Sequence, residues 1–273
     1  MTSTVKAECT PTPDCASIGY TATSCTGGNL KCPFDTSKLF CIPCDNDFKY
    51  TCNCDNIING IGSPCDGKYA SCACSSTDYI FSNGNCICNT SCSVGAIYYS
   101  DGSCSACADT NKTPVGVVVK DDELIVSLLV GEMPWSTDQT DISSLENIYS
   151  SSSAKMDYAG KNNTANILAH YTNSTNTVKA ALYCYNNAPI GLENSKNKWY
   201  LPSFGEAFSY IAGNYSKLQT TIVNKLGRSA FSYYFWTSSE ISYGYAWAIN
   251  TTGDSSYHAD KTINHSVLCL MEI

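Results

Sequence analysis

The residue type that could carry the most chemistry in this chain is cysteine, which occurs 18 times in 273 residues. Sixteen of these cysteines lie between residues 9 and 107. Such density is typical of a disulfide-stapled, loop-rich module from an oxidising compartment. Zinc is an alternative, because Cys41-x-x-Cys44 and Cys104-x-x-Cys107 have the spacing of ligand pairs. A redox pair is disfavoured, because no βαβ pattern surrounds either motif.

The same cysteines recur along the chain with a nearly constant period. Two sets of three are related by offsets of 39, 40 and 40 residues: Cys15, Cys25 and Cys32, then Cys54, Cys65 and Cys72. A shortened third unit runs from Cys86 to Cys107. Repeated stapled units usually form a stalk or spacer. We therefore expect residues 1–112 to form a rigid, Cys-rich repeat arm and residues 113–273 to form a second domain.

Composition excludes several functions. The net charge is −8 and no basic stripe is present, so we expect no nucleic-acid partner. The longest apolar stretches, 115–119 and 124–130, are too short to cross a bilayer. There is no Gly-x-Ser-x-Gly elbow, no His-Glu-x-x-His motif and no phosphate loop, and the chain has only three histidines. We expect no catalysis, no cofactor and no metal site.

The pattern after residue 113 predicts strands, then helices, then strands, which is an α+β order. Residues 113–119 and 123–130 are rich in β-branched side chains around an acidic turn and predict a hairpin. Residues 136–160 are polar and Ser-rich and predict a loop with at most a short helical turn. Helices are predicted at 163–171, at 178–185, from the capping box of Ser203 and Glu206 to about residue 212, and at 216–226 before Gly227.

These elements carry landmarks that resemble a family of bacterial C-type-lectin-like domains. The landmarks, in order, are Thr113-Pro-Val-Gly-Val-Val, Gly160-Lys-Asn-Asn-Thr164, Ala181-Leu-Tyr-Cys184, Trp199-Tyr-Leu-Pro-Ser203 with Glu206, Phe235-Trp-Thr-Ser-Ser-Glu240, Ala246-Trp247, Gly253, Lys261 and Val267-Leu-Cys-Leu270. The family includes the C-terminal domain of collagen-like adhesins and the variable proteins of diversity-generating retroelements. The resemblance covers about residues 113–273 and implies an α+β, C-type-lectin-like domain preceded by the disulfide-rich, loop-dominated module.

The resemblance implies structural roles for most landmarks. Trp199, Trp236 and Trp247 are expected in the core, and Glu240 is expected to be buried against backbone N–H groups. Cys184 and Cys269 are expected close together and bridged, with two buried free thiols as the alternative. The sulfatase-activating oxidases share this broad fold and use reactive thiols, so an oxidase is the less favoured, enzymatic alternative.

Residues 230–265 are the candidate ligand-binding surface. Nine of the 31 aromatic residues lie in these 36 positions, and 21 of the 36 are Tyr, Ser, Thr, Asn, Asp or His. Tyr with small polar residues is the palette of antibody paratopes. The predicted anchors are Tyr233, Tyr234, Tyr243, Tyr245, Tyr257 and His258. The predicted neighbouring contacts are Ile241, Ser242, Asn250, Thr252, Asp254, Ser256, Asp260, Asn264 and His265.

The residue types in this region are also consistent with diversification at the codon level. Retroelements of this kind mutate adenines, and AAC or AAT codons cannot then become Trp, Glu or Lys. In residues 230–265 the residues of those types are Trp236, Glu240, Trp247 and Lys261, and all four fall on landmarks. The residues of 241–246, 254–260 and 262–266 are all reachable. A fixed-sequence, carbohydrate-binding adhesin of the same fold is the alternative, although no Glu-Pro-Asn, Gln-Pro-Asp or Trp-Asn-Asp motif of calcium-dependent lectins occurs.

The predicted protein is therefore non-enzymatic and secreted or displayed on a cell surface, with a protein or glycan ligand and no membrane span. No export leader follows Met1, so we expect any such signal to have been removed or to lie outside this sequence. The sequence leaves oligomerisation open.

Overall fold

A computed structural model describes residues 30–31, 39–40, 60–62, 72–74, 76–82, 85–171, 177–231, 234–253 and 256–273. The chain divides into two compact units, Met1–Asn89 and Thr90–Ile273. Most of the predicted cysteine repeat, and the Cys41-x-x-Cys44 motif, lie outside the described residues.

The described part of the first unit consists of three short antiparallel strand pairs. They are β1 (Leu30–Lys31) with β2 (Leu39–Phe40), β3 (Gly60–Gly62) with β4 (Cys72–Cys74), and β5 (Tyr79–Ser82) with β6 (Asn85–Cys88). Cys88, at the end of β6, is disulfide-bonded. Because isolated two-stranded hairpins are marginal in water, this disulfide adds covalent support at the end of β6.

A six-stranded sheet opens the second unit, in the order β12-β17-β10-β9-β7-β8. Its strands are β7 (Ile97–Tyr99), β8 (Cys104–Ser105), β9 (Pro114–Lys120), β10 (Leu124–Ser127), β12 (Trp199–Tyr200) and β17 (Leu270–Glu272). The expected hairpin is present as β9 and β10, and Asp122 has the positive φ of 54° that its turn requires. β10 ends at Ser127, three residues before the predicted end.

The predicted boundary at residue 113 differs from the division at residue 90. β7 pairs with β9, so residues 97–99 belong to the sheet of the second unit although they lie in the Cys-rich part of the sequence. Cys92 and Cys104 form a disulfide, and Cys107 is also disulfide-bonded. The zinc alternative for Cys104-x-x-Cys107 is therefore wrong, because both sulfurs are already covalently paired.

Along the chain, the helices follow β10 and lie on both sides of β12. They are α1 (Ser151–Ala154), α2 (Gly160–His170), α3 (Ala180–Tyr185), α4 (Phe204–Glu206) and α5 (Tyr215–Gln219), with a 3₁₀ turn at Glu193–Ser195. π-helical turns at Ala207–Ile211 and Thr220–Lys225 and a 3₁₀ turn at Ala212–Asn214 join α4 and α5 into one helical region. α2 begins three residues before the predicted start. The capping box of Ser203 and Glu206 is present, as predicted.

The second unit also contains a five-stranded sheet, in the order β11-β16-β13-β14-β15. Its strands are β11 (Gly131–Pro134), β13 (Tyr234–Ser242), β14 (Tyr245–Asn250), β15 (Ser256–Asp260) and β16 (Asn264–Val267). β13 and β16 are parallel, and the other neighbours are antiparallel. The described unit therefore combines helices with several sheets, in an α+β arrangement.

Alternate residues of the strands enter two hydrophobic clusters. Trp199 and Trp236 belong to the first cluster, and Trp247 belongs to the second; none of the three is more than 3% exposed. Cys184 of α3 and Cys269, which precedes β17, form a fully buried disulfide with a Cα–Cα distance of 5.3 Å. This cross-link ties α3 to the segment just before β17.

Candidate ligand-binding surface

The strands of the five-stranded sheet distribute the predicted site residues over both of its faces. Tyr245 is paired with Asp260 and Trp247 with His258, so these four side chains lie on one face. Ala248 is paired with Tyr257, on the opposite face. Since successive side chains alternate across a sheet, a continuous predicted segment cannot form a single surface. The predicted set consequently separates into two groups.

The first group lies where β13 and β14 are joined. Tyr243 is 62% exposed and Tyr245 is 44% exposed, while Ser242 is half-buried. The backbone N–H of Lys261 donates to the carbonyl oxygen of Gly244 at 3.0 Å, so the turn after β15 lies against this hairpin. We call residues 242–245, 260 and 262–263, together with Gln139, the hairpin-end surface.

Ile263 and Gln139 also belong to the hairpin-end surface, although the sequence analysis missed both. Ile263 is 42% exposed in the turn between β15 and β16. The Gln139 Nε2 atom donates to Asp260 Oδ2 at 2.7 Å, which attaches the 135–148 segment to the surface. The composition of 230–265 favours Tyr and small polar residues for the site and does not single out Ile263. Nothing local in the sequence connects Gln139 to residue 260.

A buried ion pair lies directly beneath the hairpin-end surface. The side chains of Glu240 and Lys261 are paired with no exposed area. Lys261 Nζ also donates to the carbonyl oxygen of Thr140 at 2.7 Å and lies 4.6 Å from the Trp135 ring centroid. The Glu240 carboxylate accepts from the Ile142 N–H at 3.2 Å. The pair thus joins three separate segments, and Glu240 has the predicted backbone N–H partner.

Burial governs the protonation equilibria of this pair. Desolvation raises the pKa of Glu240 and lowers the pKa of Lys261, and their mutual attraction opposes both changes. At the surface, hydrogen bonds from the Thr262 N–H and hydroxyl lower the pKa of Asp260. The hairpin-end surface therefore presents an ionised carboxylate next to two exposed tyrosines.

The second group is an aromatic cluster on the other face. The Tyr234 and Tyr257 ring centroids are 5.0 Å apart in an edge-to-face arrangement, and His265 lies 4.8 Å from Trp236. The Tyr257 hydroxyl is hydrogen-bonded to Nε2 of His265. Burial lowers the pKa of His265 and raises the pKa of Tyr257. Tyr234, Tyr257 and His265 are half-buried and contact one another, so their main role is packing within the sheet and not contact with a ligand.

The remaining predicted residues are dispersed. Ile241 is 5% exposed and Asn250 is 1% exposed, so their assignment to an accessible site is wrong; β-bulges in β13 turn Ile241 into the second cluster. His258 is exposed, with its ring 4.7 Å from that of Trp247. The other three described members are exposed or half-buried: Thr252, Ser256 and Asn264. Tyr233 and Asp254 lie outside the described residues.

The described residues contain neither a metal-ligating cluster nor a membrane-spanning helix. In these parts of the chain, no group of three or more His, Cys, Asp or Glu side chains could hold a metal ion. None of the helices described for this chain is long and apolar enough to span a membrane. The hairpin-end surface can offer aromatic contact area, hydroxyl and amide hydrogen bonds, and a carboxylate.

Comparisons with known proteins gave little similarity. No protein family matches the chain, and no curated protein matches it. A fimbrial protein from Bacteroides ovatus is a distant structural neighbour, with a TM-score of 0.46 and 14% sequence identity. The alignment covers 76% of this chain and 56% of the fimbrial protein, so the chain spans a little over half the length of that neighbour.

Proposed function

We propose that this protein is a non-enzymatic binding protein, of the receptor or adhesin type, that presents the hairpin-end surface to a protein or glycan. One observation carries the proposal: Tyr243 and Tyr245 are 62% and 44% exposed on turns that a buried ion pair holds together. Exposed tyrosines on a rigid support supply contact area at low entropic cost. The disulfides of Cys92–Cys104 and Cys184–Cys269 fit an extracellular or surface protein.

The finer proposal is that the second unit is a C-type-lectin-like domain whose C-terminal region is diversified by a retroelement. The four landmark residues that adenine mutagenesis cannot produce are at most 3% exposed, which supports a fixed scaffold: Trp236, Glu240, Trp247 and Lys261. Reachable residue types occupy the surface positions Tyr243, Tyr245, Asp260, Thr262 and Ile263. A neighbouring near-copy of the DNA for residues 230–273 that differs only at adenines, beside a reverse transcriptase, would support diversification, and its absence would favour a fixed adhesin.

The binding role is tested on glycan and protein arrays with the full chain and with a Tyr243→Ala/Tyr245→Ala variant. We expect the wild-type protein to bind a defined array ligand and the variant to lose at least about 30-fold in affinity for it, since hot-spot tyrosines contribute about 2 kcal/mol or more. Tyr149→Ala is the matched control, because Tyr149 is 69% exposed but lies outside the hairpin-end surface.

Two outcomes contradict the proposal. If the double variant keeps the wild-type affinity, the tyrosines are not anchors. If it lowers the melting temperature strongly while Tyr149→Ala does not, the two tyrosines are structural. The oxidase alternative requires reactive thiols, whereas Cys184 and Cys269 are fully buried and bonded to each other.

A further inference from the structure

An open cleft of about 450 Å³ lies on the second unit among residues that the proposed function does not use. Its walls come from the β9–β10 turn, the segment before α2, β12, the helical region after α4, and β17. The volume falls in the range of small-molecule sites, and the lining combines tyrosines with carboxylates. The cleft therefore has both apolar and polar groups with which to hold a ligand.

Two tyrosine rings form its aromatic wall. The Tyr158 and Tyr210 ring centroids are 6.0 Å apart, with their planes inclined by 58°. The Tyr158 hydroxyl is hydrogen-bonded to Ser209 Oγ at 2.7 Å, which holds the ring in place while 48% of the residue stays exposed. Aromatic faces in this arrangement attract cations through their quadrupoles.

Carboxylates line the same cleft. Glu206 is 6% exposed, and its Oε1 accepts from the Tyr200 hydroxyl at 3.2 Å. Glu123 and Glu272 are exposed and complete the polar part of the lining. The lining contains four acidic residues and one lysine, Lys120, so it is rich in hydrogen-bond acceptors and has an excess of negative charge.

The chain's own lysines show which chemistry this lining favours. Lys120 Nζ lies 5.6 Å from the Tyr210 ring centroid and is paired with Glu123. Lys161 Nζ lies 2.6 Å from Glu272 Oε2. Both are ion pairs between partly exposed side chains, which contribute about 0–1 kcal/mol and can exchange for a competing cation.

We propose that this cleft binds a small aliphatic amine, with its ammonium group over the Tyr158 and Tyr210 rings and paired with Glu272. The aliphatic part would lie along the ring faces. This site is independent of the hairpin-end surface, so either proposal can fail without the other.

Isothermal titration of the full chain with 1,5-diaminopentane tests the proposal, with 1,5-pentanediol as its neutral counterpart of similar shape. We expect saturable diamine binding at one site and at least tenfold weaker diol binding. Tyr158→Ala and Glu272→Gln should each weaken diamine binding by about fivefold or more, because each removes one part of the ammonium site. Both residues are substantially exposed, so the variants should fold, as melting temperatures would verify.

Tyr149→Ala is the control for general surface changes and should leave the affinity unaltered. Equal binding of diol and diamine would overturn the ammonium assignment. Diamine binding that is unchanged in Tyr158→Ala and Glu272→Gln would overturn the site, because it would reflect attraction to the overall charge of −8.

Discussion

Glu240 and Lys261, which are 21 positions apart, pair in the interior with no exposed side-chain surface. Glu240 lies near the end of β13, and Lys261 follows β15. Through Ile142 and Thr140 the same two side chains hold the 135–148 segment. One charge pair therefore fixes all three segments that form the hairpin-end surface.

Removing one member of this pair should be costly. Lys261→Met and Glu240→Gln should each lower the free energy of unfolding by about 3–5 kcal/mol, because a buried charge loses its partner. Unfolding of this unit can be followed by tryptophan fluorescence, since all four tryptophans lie after residue 113. The Glu240→Gln/Lys261→Met variant should lose less than the sum of the single losses. If the losses in unfolding free energy of the two single variants add up in the double variant, the two charges do not stabilise each other.

The stability of the second unit should fall in mild acid because of His265. Burial lowers the pKa of His265 below the ordinary value of 6.5, so the unfolded chain takes up a proton before the folded chain does. The contribution of neutral His265 to the free energy of unfolding is complete above pH 6.5. It is lost as the pH falls through the lower pKa that His265 has in the folded chain. Melting temperatures measured from pH 7.5 to pH 5 should therefore decrease.

His265→Gln should reduce this acid-dependent decrease, and His170→Gln should leave it unaltered. His170 is exposed on α2, away from the aromatic cluster, and so controls for the loss of an imidazole. An equal reduction in both variants would show that the half-buried site of His265 is not responsible.

The Cys184–Cys269 disulfide should stabilise the unit strongly. It closes a loop with a sequence separation of 85, for which chain entropy predicts about 4–5 kcal/mol. Cys184→Ala/Cys269→Ala should lower the unfolding free energy by an amount of that order. Thiol titration of the native protein should detect neither sulfur. Rapid labelling of Cys184 or Cys269 would contradict the structure and favour the oxidase alternative.

Gly205 should not tolerate a side chain. A Cβ atom there would lie 2.4 Å from the carbonyl oxygen of Asp157. This oxygen belongs to the backbone, so the clash can be relieved only if the backbone moves. We expect Gly205→Ala to cost at least about 2 kcal/mol in unfolding free energy. Gly213→Ala is the comparison, because its nearest neighbour would be 3.4 Å away. Similar losses in both variants would mean that the close approach is relieved easily.

Local signals in the sequence identified several elements correctly. The β-branched residues of 113–119 predicted the strand β9, and Ser203 with Glu206 predicted the start of α4, because both signals depend on neighbours within a few residues. The division at residue 90 differs from the predicted boundary at 113, because cysteine density does not reveal that residues 97–99 pair with β9.

The candidate site was harder to predict because it depends on strand register. The composition of residues 230–265 predicted one surface. Because side chains alternate between the two faces of a strand, Tyr245 and Tyr257 lie on opposite faces of the sheet. β-bulges near Glu240 also shift the register, which buries Ile241 beside the exposed Tyr243. Neither effect can be determined before the strand partners are known.

The comparison of two double variants tests the central claim most directly. Tyr243→Ala/Tyr245→Ala removes the exposed rings of the hairpin-end surface, and Tyr234→Ala/Tyr257→Ala removes two rings from the aromatic cluster on the other face. The affinity of each double variant for the ligand that binds most tightly on the arrays is measured by isothermal titration calorimetry. We predict a loss of at least about 30-fold for the first variant and less than about threefold for the second. A large loss confined to the second variant would contradict the account.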